Sequence, residues 1–261
     1  MRYGACIGTN FEKLEKLAQF GYDYAEINLS AIADWEEARI EEVRREMERT
    51  GIWAEACNGF YSALPEGALT DEKADFAALE EYVRRALGKA VRLGVKTAAV
   101  GSGKARMILD ESRRKEGMAQ YEKALLLAAR VGAECGVTMA VEPLGPQECN
   151  TVNTVSEGLA LCRRLSHPNL FVMGDFFHMF MAGEDPEILC RGAGLLRHLH
   201  IARANADRLM PVFPEDEKTV QKWAAVVKKS GYNGRISLEG GMGDDWDETA
   251  RKMRKVLQLF E

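Results

Sequence analysis

Apolar residues recur at spacings of three and four in two stretches of this chain: Phe76, Leu79, Val83 and Leu87 in one, Met118, Tyr121, Leu125, Ala128 and Gly132 in the other. At 3.6 residues per turn each set falls on a single stripe, the pattern of a helix laid with one face on a sheet. Five helical patterns then stop at a glycine followed by an apolar or aromatic residue: Gly21-Tyr22, Gly51-Ile52, Gly94-Val95, Gly136-Val137 and Gly231-Tyr232. Glycine enters the left-handed helix cap at little cost, so each junction marks a helix stop followed by a strand start. Strands are predicted at about 3–8, 24–29, 52–58, 96–101, 137–142, 170–175, 197–202 and 235–240. Each precedes a helical pattern long enough for a parallel crossover. Eight such units in 261 residues predict an α/β fold, a (β/α)8 TIM barrel forming one domain over 1–261. A doubly wound open sheet uses the same alternation, but the glycine-rich dinucleotide fingerprint it usually carries is missing.

Composition narrows the function. With 46% apolar residues the chain can build one large core, burying roughly 70–75% of its unfolded surface. A net charge of −5 leaves no basic excess to neutralise a phosphate backbone, so nucleic acid is not expected as a partner. No apolar run approaches the ~20 residues of a membrane helix and no signal-peptide pattern opens the chain, so no membrane is expected and the expected location is the cytoplasm. The six cysteines, Cys6, Cys57, Cys135, Cys149, Cys162 and Cys190, are scattered without a C-x-x-C pair and read as buried, reduced thiols.

Several motifs fail on inspection. Gly101-Ser102-Gly103-Lys104 imitates a phosphate loop, but the Walker pattern needs a glycine at position 98, which is Ala98. No G-x-S-x-G elbow and no H-E-x-x-H pair occurs. What stands out instead is a distribution: Glu142, Asp175, His200 and Glu239 sit at the C-terminal ends of four successive predicted strands. In a barrel those ends converge on the mouth, where active sites of this fold are built. Taken singly, each carboxylate is as readily a helix cap or an arginine's partner. Together, three carboxylates and an imidazole suit one hard to borderline divalent ion, Mn²⁺ foremost, with Co²⁺, Mg²⁺ or Zn²⁺ as alternatives. Without a cation, three carboxylates so close would raise one another's pKa values. His198 shares its parity with His200 and is expected to point into the barrel as a core residue, while His167 reads as a loop residue.

The segments Val141-Glu142-Pro143-Leu144, Glu148-Cys149-Asn150, Gly174-Asp175-Phe176-Phe177-His178-Met179, His198-Leu199-His200-Ile201-Ala202 and Ser237-Leu238-Glu239 resemble the xylose isomerase-like sugar isomerase/epimerase superfamily, in particular its ketose 3-epimerase branch. The match spans the second half of the chain in the expected order, with looser agreement at Tyr24-Ala25-Glu26-Ile27 and Val100-Gly101-Ser102-Gly103. The resemblance implies that Glu142, Asp175, His200 and Glu239 hold the metal, and that Glu148, His178 and an arginine after the seventh strand hold the sugar. Family spacing would put that arginine at 206, which is Ala206, so Arg208 takes the assignment. The glycine-containing loop and acidic residue that often follow are replaced by the segment from Leu209 to Glu217.

The implied chemistry is proton transfer through a metal-stabilised enediolate, with Glu142 and Glu239 as the catalytic pair on opposite faces of a small sugar or sugar phosphate. Assembly into a homo-oligomer is compatible with the sequence. Phe60, Tyr61, Phe176, Phe177 and Trp246 are candidates to cover the sugar's apolar faces, or to pack within the mouth loops. Arg106, Lys104 and Arg208 are candidates to meet a phosphate, or to be solvated. The competing readings are an inosose dehydratase-like lyase, an abasic-site endonuclease with a histidine-rich metal cluster, and a sugar-binding barrel without catalysis.

Overall fold

Eight strands close on themselves in chain order, each hydrogen-bonded in parallel to the next and the eighth to the first. They are β1 (Arg2–Gly8), β2 (Tyr24–Asn28), β3 (Ala54–Asn58), β4 (Thr97–Val100), β5 (Thr138–Val141), β6 (Leu170–Asp175), β7 (Leu196–Ile201) and β8 (Arg235–Leu238). The computed structural model describes residues 1–192 and 194–261. Every predicted strand is present, with most ends displaced by a residue or two.

The helices between them are α1 (Lys13–Phe20), α2 (Leu29–Ile32), α3 (Glu37–Thr50), α4 (Phe76–Arg92), α5 (Arg114–Cys135), α6 (Val155–Leu165), α7 (Phe176–Met181), α8 (Glu217–Ser230) and α9 (Trp246–Leu257). All five junction glycines have positive φ, from 70° at Gly231 to 98° at Gly94, as a left-handed stop requires. One crossover departs from expectation. Among the described residues between β6 and β7 the chain forms the short α7 and a 3₁₀ turn over Pro186–Arg191, in place of a long helix. Aromatic packing compensates, because Phe176 stacks on Trp223 of α8 with ring centroids 4.6 Å apart. No helix among the described residues is long and apolar enough to cross a membrane.

The predicted stripes face the sheet: Leu79, Val83 and Leu87 of α4 and Tyr121, Leu125 and Ala128 of α5 are buried in the layer between strands and helices. Inside the barrel the chemistry is different. Ala99, Ala140 and Met173 form a small separate apolar cluster there, and the rest of the interior is notably polar. Tyr24 hydroxyl meets Ser237 Oγ at 2.8 Å, and Glu26 meets both His198 and His200. At the foot of the barrel Glu55 gathers Arg2, Lys96 and Arg235 at 2.7–3.1 Å, tying the starts of four strands together. The six cysteines are free thiols, with Cys57, Cys149 and Cys162 buried and the other three partly exposed.

Candidate metal centre

Parallel strands all deliver their last residues to one rim, and here β5 to β8 deliver Glu142, Asp175, His200 and Glu239. One ligand atom from each of the four lies within 4.8 Å of the others. Asp175 and His200 are fully buried and Glu142 nearly so. His200 Nδ1 lies 2.9 Å from Glu239 Oε2, 3.3 Å from Glu142 Oε1 and 4.0 Å from Asp175 Oδ2. Both His200 Nδ1 and Glu142 Oε1 are buried without a hydrogen-bond partner. Buried polar atoms normally find a partner, so two unsatisfied ones within reach of further carboxylate oxygens fit a divalent cation.

The charges of the rim are tightly interdependent. Burial opposes a charged imidazole at His200, yet Glu239 and Glu26 outweigh it and raise its pKa well above the usual value. Burial also lifts Asp175, against the pull of Arg208 and with help from Glu239, to about 7. At Glu239 burial is overcome by His200 and Arg208, which hold the carboxyl down at about 2. Asp175 and Glu239 thus compete for the positive charge at the rim. Arg208 supplies some, its Nη2 lying 3.0 Å from Asp175 Oδ2 and 2.5 Å from Glu239 Oε2.

Local structure explains how each group is aimed. Asp175 also caps α7, accepting the Phe177 N–H. Glu142 is accommodated because a Cβ on Gly101 would overlap its carboxylate, and a Cβ on Gly103 would overlap the Glu148 backbone. The phosphate-loop look-alike is therefore a spacer loop. Arg106 holds its base: fully buried, it donates to the Glu142 and Val152 carbonyls and the Tyr121 hydroxyl, and neither solvent nor a phosphate reaches it. Lys104 is exposed.

The three residues assigned to the sugar lie together beside the ligand cluster. His178 Nε2 is 3.6 Å from Asp175 Oδ2, and its Nδ1 is 3.6 Å from Glu148 Oε1. Because that Nδ1 accepts the Gly145 N–H at 3.2 Å, the ring proton sits on Nε2, which is buried and unpartnered. Burial, then Arg208, push His178 down to about 3, so the ring is neutral. Burial raises Glu148 above the ordinary carboxylate value. Arg208 Nη1 is 3.8 Å from Glu148 Oε1, and its guanidinium lies 4.7 Å from the centre of the Phe177 ring.

Of the aromatic candidates only Phe177 borders this cluster. Phe60 and Tyr61 are fully buried in the outer core, Phe176 packs on Trp223, and Trp246 lies under Lys13. Sequence reasoning missed two contributors. Asn58, at the end of β3, donates to Glu239 Oε1 at 2.6 Å. Glu26, midway along β2, is fully buried against His198 and His200, whose charge overcomes the cost of burial and holds its pKa well below the usual value. Cys6, Glu26 and His200 also present ligand atoms to one another. That alternative is weak, since both Glu26 oxygens are already engaged, one by His198 Nε2 and the other by His200 Nε2.

A closed parallel barrel with a carboxylate–imidazole cluster on its C-terminal rim defines a class, the TIM-barrel proteins built around a catalytic mouth. Within it the chain belongs to the xylose isomerase-like TIM barrel family, whose model matches residues 14–258. It is similar to a D-psicose 3-epimerase of Agrobacterium fabrum, 25% identical over 196 residues covering 74% of this chain and 67% of the relative. A D-psicose 3-epimerase of Ruminiclostridium cellulolyticum is 25% identical over 234 residues, covering 87% and 76%. In fold it resembles the crystal structure of a D-allulose 3-epimerase from Methylomonas in complex with D-allulose, with a TM-score of 0.81, 19% identity and coverage of 100% of this chain and 97% of that one.

Proposed function

We propose that this protein is a divalent-metal-dependent ketose 3-epimerase, with Mn²⁺ as the metal, in which Glu142 and Glu239 carry the proton. Family membership and its epimerase relatives make the chain an isomerase-class enzyme. The observation that carries the finer reading is the pair of glutamates meeting at the unpaired buried atoms of the rim, one from β5 and one from β8. Two strands separate them in the barrel, so they approach a common centre from different sides.

A proton on the carbon beside a carbonyl is weakly acidic, and its removal needs a base on the correct face and relief for the developing enediolate charge. A divalent ion held by Glu142, Asp175, His200 and Glu239 would supply that relief as a Lewis acid. One glutamate removes the proton and the other returns it on the opposite face, which inverts the centre. Asn58 fixes one oxygen of Glu239 and leaves Oε2 facing the site. Neutral His178 donates from Nε2 to a sugar oxygen, while Glu148 and Arg208 bind neighbouring hydroxyls. With Arg106 engaged inside the fold, Arg208 is the arginine of this cluster, and its pairing with two carboxylates favours an unphosphorylated sugar. The described histidines do not gather into a multi-metal cluster, since His198 turns inward to Glu26 and His167 lies in a loop before β6.

The test is turnover of a panel of free and phosphorylated ketoses in D₂O with Mn²⁺. The reading expects inversion at C3 with solvent deuterium at that carbon. Epimerisation without any solvent deuterium would mean a hydride shift or retro-aldol path, and a conjugated, ultraviolet-absorbing product would mean a dehydratase.

A further inference from the structure

Glu26 is a carboxylate in the sealed interior of the barrel, and each of its oxygens has one partner. Oε2 lies 2.8 Å from His198 Nε2 and Oε1 lies 2.9 Å from His200 Nε2. All three side chains are completely buried, and the two imidazole rings stand at 82° to one another with centroids 4.8 Å apart. From this arrangement we propose that Glu26, locked by His198, is the positioning residue of the metal centre, dictating that His200 coordinates through Nδ1.

An ionised carboxylate only accepts hydrogen bonds, so the nitrogen facing each of its oxygens must carry the hydrogen. In a neutral imidazole a hydrogen on Nε2 leaves Nδ1 bare. For His200 that bare nitrogen is the one directed at Glu239, Glu142 and Asp175. For His198 it is a buried atom without a partner, so this ring has no role at the rim and acts through Glu26 alone. Two orthogonal rings on two oxygens also fix the plane of the carboxylate. Were His198 absent, Glu26 could rotate and the His200 ring with it. A carboxylate behind a ligating histidine also raises the basicity of the nitrogen that binds the metal. The placement follows from strand alternation: His198 and His200 share one face of β7, and Glu26 reaches both from the inward face of β2 across the barrel.

The inference rests on His200 being a metal ligand, and the test separates the two claims. Co²⁺ affinity is measured by titration for the wild-type chain, Glu26→Gln and His198→Phe, and the ring-nitrogen protonation of the histidines is read by long-range ¹H–¹⁵N NMR on the Zn²⁺-loaded wild type. A glutamine can accept from only one ring and turns its amide hydrogens toward the other, so Glu26→Gln should weaken Co²⁺ binding about 10–100-fold. His198→Phe keeps the Glu26–His200 bond and should lose less, roughly 2–10-fold, which a ligand of its own would not. The NMR spectrum should show hydrogen on Nε2 of both rings, a readout that needs no variant to fold. Hydrogen on His200 Nδ1, or Glu26→Gln binding Co²⁺ as tightly as wild type, overturns this proposal alone. A wild-type chain that binds no Co²⁺ overturns it together with the metal reading.

Discussion

The carboxylate of Asp175 is divided between two tasks: Oδ1 accepts the Phe177 N–H at 2.8 Å and caps α7, and Oδ2 alone faces the rim. The cap and the ligand are therefore separable by mutation. Asp175→Asn keeps an oxygen for the cap and should fold normally while losing most of its bound metal. Asp175→Ala should lose the metal and also about 0.5–2 kcal/mol of stability. Elemental analysis and thermal unfolding of the metal-free variants check both halves, and full metal occupancy in either variant would remove Asp175 from the ligand set.

Glu148→Ala and His178→Ala should leave metal content intact while raising KM or lowering kcat, since both side chains lie beside the ligand cluster and outside it. Loss of metal in His178→Ala would instead make that ring a ligand.

Glu142→Gln and Glu239→Gln should each cost roughly 10²–10⁴ in epimerisation rate, because shape is kept and the base removed. They should differ in what they still exchange. Each variant retains the base for one face, so each should wash solvent deuterium into one epimer only, and into opposite epimers. Identical exchange in both, with metal content measured alongside, would contradict the two-base assignment.

At the foot of the barrel, burial raises the Glu55 pKa, but hydrogen bonds from Arg235 and Lys96 and the charges of Arg235 and Arg2 outweigh it and leave it below the ordinary value. A carboxyl depressed in the folded state stabilises above its unfolded pKa, and that stability is lost as pH falls through the folded one. Glu55→Gln should thus be less stable than wild type by roughly 1–3 kcal/mol at neutral pH. The gap should close as the medium is acidified from about pH 5 through the carboxylate range. Denaturant unfolding at pH 7 and pH 3.5 measures it; a gap independent of pH would locate the effect in packing.

The barrel was legible because its signals are local. A glycine at a helix end and an apolar stripe need only their own neighbours, and strand-end placement made Glu142, Asp175, His200 and Glu239 visible as a set. Asn58 carried that same strand-end signal but, as a neutral amide, does not register as a ligand. Glu26 left a fainter trace, an acidic residue flanked by apolar ones in mid-strand, and its partners lie 172 and 174 residues away. Arg106 misled for the same reason, since a lysine–arginine pair after a glycine loop suggests an anion, whereas its acceptors are the Tyr121 hydroxyl and two carbonyls 36 and 46 residues on. The short crossover after β6 was hidden because Phe176-Phe177-His178-Met179 has helical character without the length to show that it stops.

The close approach of Gly101 and Gly103 to Glu142 and Glu148 bears on how the enzyme could be retargeted to other sugars. A mutagenesis library spread evenly over this mouth loop would waste most of its members, since any side chain at 101 or 103 collides with the Glu142 carboxylate or with the Glu148 backbone. Ser102 offers little more freedom, because its hydroxyl receives the Tyr61 N–H and its backbone already sits at a positive φ of 57°. Lys104 is the exposed position of this loop, so of its four residues that one carries neither the steric nor the backbone bar that closes the other three.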